Sequence, residues 1–598
     1  MDNVDQALIA FINCEQLDLQ NGSILLINKQ NNKQFVVAPT VPVALGYCKT
    51  FRTISEHASV IAANIPQLAG QEADVISVLT MVRDAGILTT AESVAARISS
   101  QNEDSKPLAP TRAFIITCDR PLAVRRLLET MLQTSNLTRH EEIFLVDDSR
   151  KWLNADENRE AVEKFNLASA KNIHYVGAKQ QKQLLDDLIS ALPQHESAIR
   201  FLIDRERWAE QKSYGLARTV CLLLSVDKRC IVMDDDVLCS SAEAPHSSNG
   251  IAFSDNTREM DFYADEQKAL TSVIKREMNP LTGHAQCLGM TLAQATKKLG
   301  LEELNAESLA GANAPFLGLM DGNSPVLITQ NGTLGDPGSP QINSYMLDQG
   351  SIQRMLAAPG GHTSAQANRC YWIGRSRPTF TKMAVMSQVT GLDNSHLLPP
   401  YFPIFRGEDH LFGAMVEFLF PQGTTLEYDW CVPHLPIEDR SEQADTSSVA
   451  YKGGIGFFSK YITDHTNYEP GIALDTRIEG LCLLIQELSE SSNTGLQTLL
   501  QTDVSSTNAS RLKAISAQFQ TASQNQAPQD WLNYLQQGAN ELSQVLQISA
   551  SPSKIGGIPE RMGDGAVLDQ AKAYAAEFAG ALRVWPEIRD AASAIATN

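Results

Sequence analysis

The sequence predicts an α/β protein: a mostly parallel sheet with helices on it, a small α+β unit before it and an all-α region after it. Three observations carry this. Between about residues 111 and 240, short apolar runs alternate with helical patterns, as in parallel sheets with right-handed crossovers. The strongest of those runs end in polar, mostly acidic residues, which places these on one side of the sheet. From about residue 470 onward every apolar pattern has helical spacing.

Residues 1–105 read as a separate small unit. GSILLIN and KQFVVA alternate like two strands of a hairpin. FRTISEHASVIAANI, EADVISVLTMVRDAG and AESVAARISSQ then read as three helices, with Gly86 as a C-cap of the second. QNEDSKPLAPT, with two prolines, reads as a linker. The main domain is expected over 111–465. AFIIT is its first strand, CDRP a turn with Pro121 at a helix start, and LAVRRLLETMLQ an amphipathic helix. EIFLVDDS ends a second strand in Asp147 and Asp148, and IHYVG is a third. QKQLLDDLISAL and SYGLARTVCLLLSV are helical. The latter leads into RCIVMDDDVLCSS, where a buried strand runs into Asp234, Asp235 and Asp236.

Three adjacent carboxylates repel one another unless a proton or a cation lies between them. A hard divalent cation held by carboxylate oxygens answers that need, and such an ion in turn takes diphosphate oxygens. A solvated acidic turn after a core strand is the plain alternative. Residues 240–375, rich in Gly, Pro, Asn and Ser, read as an irregular acceptor-side insertion. RPTFTKMAVMSQVTG resumes helical spacing. In YFPIFRGEDHLFGAMVEFLFP, Glu408 and Asp409 open a helix, where acids also serve simply as a favourable first turn. His434 falls between prolines and reads as a loop residue, a setting in which a lone histidine is ordinarily structural. Residues 470–598 read as a helical domain for packing, a partner or homo-oligomerisation.

The formal charge is -20, from 69 acids against 49 bases, which argues against nucleic acid or an anionic membrane as the main partner. Ten cysteines are scattered without paired metal spacing, several of them (Cys118, Cys221, Cys230) in apolar runs that look like core. A reducing cytoplasm is the simplest setting, and no run has the length of a membrane span.

Taken together, TCDRP, VDDS, LAR, IVMDDDV and RGEDHLFG, in this order, resemble a GT-A-fold glycosyltransferase, nearest to family 2, over about residues 111–240 and 370–440. The resemblance implies a metal-dependent, inverting enzyme. It would move a sugar from a nucleotide-sugar donor of UDP type to a hydroxyl of a peptide, protein or glycan, as a hexosyltransferase does. It points to Thr117, Asp119 and Arg120, to Asp147 or Asp148, and to Arg218, Asp234 and Asp235 as donor-binding residues. Asp236, with Asp234 and His434, falls where the family holds Mn2+ or Mg2+. Asp409 falls on the general base, with Glu408 as the alternative. Residues 1–105 are similar in pattern to the PqqD-like peptide-recognition modules of winged-helix shape, which implies a peptide acceptor. A structural cap is the plain alternative, and non-basic helices argue against DNA binding.

The chain departs from the family at Thr219, where Asn is frequent, and in DKRC, which lacks the usual Gly. The long interval from VDDS to DDD implies an insertion around residues 150–210. No QxxRW motif and no membrane span is present, which argues against a processive polysaccharide synthase and for an enzyme that adds one or a few sugars. Two other readings stand beside this one: a nucleotidyltransferase on the same fold, which TCDRPLAV disfavours for want of a glycine, and a non-catalytic scaffold.

Overall fold

The computed structural model describes all residues except 1–5, 13, 30, 101–106, 135, 255–256, 301–303, 337, 339–342, 383, 385–387, 439–447, 549–563 and 598. Its centre is one large mixed sheet. The path strands are β1 (Thr111–Thr117), β2 (Glu142–Asp147), β3 (Ile173–Val176), β4 (Arg229–Asp234), β5 (Ala252–Phe253), β6 (Val326–Gly335), β7 (Thr379–Thr381), β8 (Val389–Asp393) and β9 (Thr424–His434). Their order across the sheet is β5-β7-β9-β6-β8-β4-β1-β2-β3. The half from β4 to β3 is all parallel, in the register Thr111↔Arg229 and Thr117↔Asp147. On the other side β8 runs antiparallel to β4 and β6, and β6 and β9 are parallel to each other.

Alternation along the strands divides two cores. Phe114, Val146, Val232 and Ile328 face one side, with the helices α2 (Tyr214–Leu223), α3 (Glu408–Leu419) and α4 (Asp564–Thr597). Ile115, Leu145, Met233 and Leu426 face the other, with α1 (Pro121–Leu132).

Four expectations are corrected. Residues 240–375 are not an irregular appendage, because β6 lies inside them with all ten residues buried. Its apolar run is interrupted by Gln330, Asn331 and Thr333, which are buried in side-chain hydrogen bonds: Asn331 Oδ1 faces His284 Nε2 at 2.9 Å and Gln330 donates to Glu427. RPTFTKMAVMSQVTG is not a helix but contains β7 and the start of β8. His434 is not in a loop, since it is the last residue of β9. Cys118 is exposed just past β1, whereas Cys221 and Cys230 are core, and all ten cysteines are free thiols.

The first hundred residues hold the hairpin of Ile24–Asn28 and Lys33–Val37, a third strand Glu15–Asp18 on it, and helices Ile54–Asn64, Glu72–Asp84 and Ala91–Ser99. The third strand escapes the sequence pattern because all four of its residues are exposed. The unit is joined to the rest by backbone bonds such as Phe51 N to Ala312 O and Gly322 N to Arg97 O.

After residue 470 the chain is helical, as Leu474–Glu490, Asn493–Gln524, Gln529–Gln547 and α4. It is not packed apart from the sheet. Phe578, Leu582, Trp585 and Ile588 of α4 share one core with Leu411 and Phe412 of α3. Trp585 Nε1 donates to Leu398 O at 2.7 Å, and Arg589 donates to Asn394 and to His396 O. Among the described residues no helix is long and apolar enough to cross a membrane.

Candidate active site at the carboxyl edge of the sheet

β1, β2 and β4 deliver their last residues to the same edge because they are parallel and in register. β9 brings His434 to that edge, where it pairs with Val237. Around the acidic triplet the chain supplies its own cations. Arg120 Nη1 donates to Asp235 Oδ1 at 2.7 Å, and its Nη2 lies 2.8 Å from Asp236 Oδ2. The same guanidinium also forms a double hydrogen bond to Glu438. Thr117 Oγ1 donates to Asp235 Oδ2 at 2.6 Å. His434 Nε2 stands 2.9 Å from Asp236 Oδ1, and its other nitrogen meets Asp336 O. Arg218 Nη2 reaches Asp234 Oδ1 at 3.3 Å.

These contacts set the protonation of the triplet. Burial raises the Asp236 carboxyl, but the His434 imidazolium and the Arg120 guanidinium overcome that and hold it below the usual carboxylate range. Asp235 moves the other way, lifted by burial and by its acidic neighbours against Arg120. Burial lowers His434, and Asp236 more than restores it, so the ring is held charged above its ordinary value. The buried acids are therefore compensated from within the chain, and their survival does not by itself require an external ligand.

Arg218 links this cluster to α3, with Nε 4.0 Å from Glu408 Oε1 and its guanidinium over the Tyr401 ring. Close packing fixes that link. A Cβ on Gly215 would lie 1.9 Å from Phe402 O, so α2 touches the loop before α3 directly. Thr219, where the family pattern has Asn, accepts from Tyr401 N at 3.1 Å and pins the same loop. Gly407, at φ +104°, turns the chain into α3, a conformation that a side chain would strain. Glu408 is buried, and burial with Asp409 beside it raises its carboxyl to about 7 against the pull of Arg218. Asp409 is half-buried, and its Oδ1 accepts from His410 N at 2.8 Å.

The residues at the end of β2 form a neighbouring cluster rather than part of the triplet's shell. Asp147 is buried and accepts from Ser149 N, Asn158 Nδ2 and Tyr175 OH, so its carboxylate is engaged inside the domain. Asp148 is held by Arg205 at 2.6 Å, Arg150 at 3.0 Å and Ser213 at 2.6 Å. Asp119, at φ 58°, accepts from Lys151 N and Asn154 and so staples the β1 loop to the β2 loop. An open cleft of about 560 Å³ adjoins this cluster, lined by Arg150, Trp152, Arg159, Tyr175 and Arg205, with the Trp152 indole largely exposed.

Sequence reasoning missed Glu438, Arg126, Arg150, Arg205 and Ser213. Arg126 donates to Asp236 O and to Leu435 O, clamping the end of β9 to the triplet. On α1 it reads as an ordinary polar-face arginine, and Arg205 lies in a turn with no spacing signal.

Asp236 and His434 are the neighbouring side chains here with donor chemistry for Mg2+ or Mn2+. Their Oδ1 and Nε2 are 2.9 Å apart because the charged ring hydrogen-bonds the carboxylate, so an ion held by the pair would have to replace that proton. Asp234 does not join them, being turned to Arg218. Among the described residues no three His, Cys, Asp or Glu side chains converge as a metal-holding group. Two protein ligands suit a small hard ion that takes its remaining oxygens from water and substrate phosphates.

No family model matches the chain, and no curated protein matches it.

Proposed function

We propose that the protein is a glycosyltransferase that takes a sugar from a nucleoside-diphosphate donor of UDP type and passes it to a hydroxyl. The observation that carries this is the meeting, at one strand edge, of Thr117, Arg120, Arg218, the aspartate triplet and His434, with Glu408 and Asp409 behind Arg218. That set offers cationic groups for a diphosphate and carboxylates for a proton. Asp236 and His434 are the residues that would hold Mn2+ or Mg2+, which when bound would neutralise charge on the leaving diphosphate. Arg120 can pass from the acids to a phosphate oxygen, since guanidinium binds either bidentately. The cleft beside Asp148, with an exposed indole and three arginines, suits a planar base and its ribose.

Asp409 is the base in this reading. Its partial exposure leaves it within reach of a hydroxyl, while Glu408 is engaged with Arg218 and Gly407 N and positions the turn. A carboxylate that accepts the proton in the transition state is worth roughly 10²–10⁴ in rate. The peptide-binding character of the N-terminal unit, and a peptide or glycan acceptor, belong to the same proposal.

One observation favours a second reading. Asp235 and Asp236 are already neutralised by Arg120 and His434, which is compatible with a non-catalytic scaffold that has kept the fold. Thermal melting with UDP, GDP, ADP and CDP, each with and without Mn2+, separates the two. A ligand that binds only the folded state raises the melting temperature. The transferase reading expects a metal-dependent shift with one nucleotide, lost in Asp236→Asn. It also expects slow release of UDP from the matching donor to fall about 10²-fold or more in Asp409→Asn and less in Glu408→Gln. No shift with any nucleotide hands the case to the scaffold.

A further inference from the structure

Glu427 lies in the middle of β9 and is fully buried. Its neighbours Leu426 and Tyr428 pack in the core on the α1 side of the sheet, so alternation turns Glu427 to the opposite face, the one α3 covers. Gln330, two residues beyond Ile328 on β6, shares that face and donates to Glu427 Oε2 at 3.3 Å. Two arginines converge on this single carboxylate. Arg258 Nε lies 2.5 Å from Oε1, and Arg375 Nε donates to Oε2 at 3.1 Å. Arg375 Nη1 also donates to Thr257 O at 3.2 Å.

Among the described residues the charges do not balance. Two guanidinium groups share one carboxylate, and the nearby Glu259 accepts from Ser376 N and Oγ. Arg258 Nη2 and Arg375 Nη2 are buried and have no acceptor among the described residues. Arg375 is only 6% exposed. Arginine does not relieve such a site by losing its proton. Burial, and the facing Arg375, press Arg258 down from its ordinary value while Glu427 holds it up. A buried charge without a partner is costly, and a planar guanidinium pair matches an oxyanion.

We propose that Arg258 and Arg375 form a binding site for a small oxyanion, a carboxylate or phosphate group, distinct from the acidic strand edge. Thr257 is exposed and the Arg258 side chain is 12% exposed, which gives the site an approach from the surface. The site does not depend on the transferase reading, because it rests on a charge excess in the sheet and not on donor chemistry.

The test is melting temperature against millimolar titrations at fixed ionic strength and pH. Inorganic phosphate and acetate probe a free anion, and glucose 6-phosphate and glucuronate probe the same groups carried on a sugar. The wild-type protein is expected to show a saturable rise of roughly 2–5 °C with at least one probe. Arg258→Gln leaves one arginine for one glutamate, so it should fold, melt close to the wild-type protein in the absence of anion, and lose the rise. Arg258→Lys keeps the charge and should keep part of it. Equal responses to free and sugar-borne groups define a simple anion pocket. A stronger sugar-borne response makes it the anionic end of a larger ligand. A wild-type protein unmoved by all four probes, or an Arg258→Gln variant that responds equally, overturns the proposal.

Discussion

At the strand ends Asp234, Asp235 and Asp236 meet Arg218, Arg120 and His434, while in mid-sheet Glu427 alone meets Arg258 and Arg375. Both clusters are built on the same sheet and both are buried. At the edge every aspartate meets at least one cation, with Arg120 shared by Asp235, Asp236 and Glu438 and Arg218 by Asp234 and Glu408. In mid-sheet, among the described residues, the cations outnumber the acid. The contrast teaches that counting acids in a motif does not say where an unbalanced charge lies. The triplet looks unbalanced in the sequence and is compensated, and the real excess is carried by residues that no motif marks.

The most damaging way to break the comparison is Arg120→Gln. It strips Asp235 and Asp236 of their shared partner, and removing one member of a buried pair costs about 3–5 kcal/mol. Denaturant titration should show that loss, whereas Arg258→Gln should lie near zero. An equal loss from both would mean that the mid-sheet pair is as well matched as the edge.

A smaller effect comes from buried groups with no ionic partner. His284 faces Thr329 Oγ1 at 2.8 Å and Asn331 Oδ1 at 2.9 Å, and burial lowers its pKa to about 4. Burial does the same to His140, with Lys171 and Arg229 adding to it. Both are lowered in the folded state, so the stability they carry is complete above about pH 6.5 and lost as pH falls toward 4. Each contributes up to ~1.4 kcal/mol per pH unit in that window. Glu408 is raised, so its contribution has the opposite sign and fades as pH rises through 7. Unfolding midpoints from pH 7 to 4.5 should therefore fall less steeply in His284→Gln than in the wild-type protein. Parallel curves would remove His284 from the account.

The mildest test concerns Asp147, a buried acid served only by neutral donors. Tyr175→Phe deletes one of them, at 2.8 Å. The expected cost is about 1.5–3 kcal/mol, the range for a hydrogen bond to a charged group. A neutral result would show that Ser149 and Asn158 suffice.

The parallel half of the sheet was legible because β1, β2 and β4 are unbroken apolar runs bounded by turns. α3 was legible because Gly407, two acids and an apolar stripe mark its start. β6 was not, since Gln330, Asn331 and Thr333 read as loop residues until His284, Glu427 and Gln388 are seen to face them. Of the candidate site, the sequence named the acids, Arg120, Arg218 and His434. It could not show that these compensate one another, because Arg120 and His434 lie more than a hundred residues from the aspartates they meet. The C-terminal helices carried a clear amphipathic pattern, but such a pattern does not say what covers the apolar face.

That covering has a consequence for how the chain is made. The apolar side of α3 packs on the helix Gly456–Asp464 and on Leu474–Glu490, and the core they share is completed by Phe578, Leu582 and Trp585 of α4. At roughly 5–20 residues per second, a nascent chain would have α3 outside the ribosome for about ten to thirty seconds before those residues follow. During that interval the loop tied down by Arg589, through Asn394 and His396 O, lacks that clamp. The core behind the acidic strand edge therefore closes late, and a stop codon before Asp564 would leave it without Phe578, Leu582, Trp585 and the Arg589 clamp.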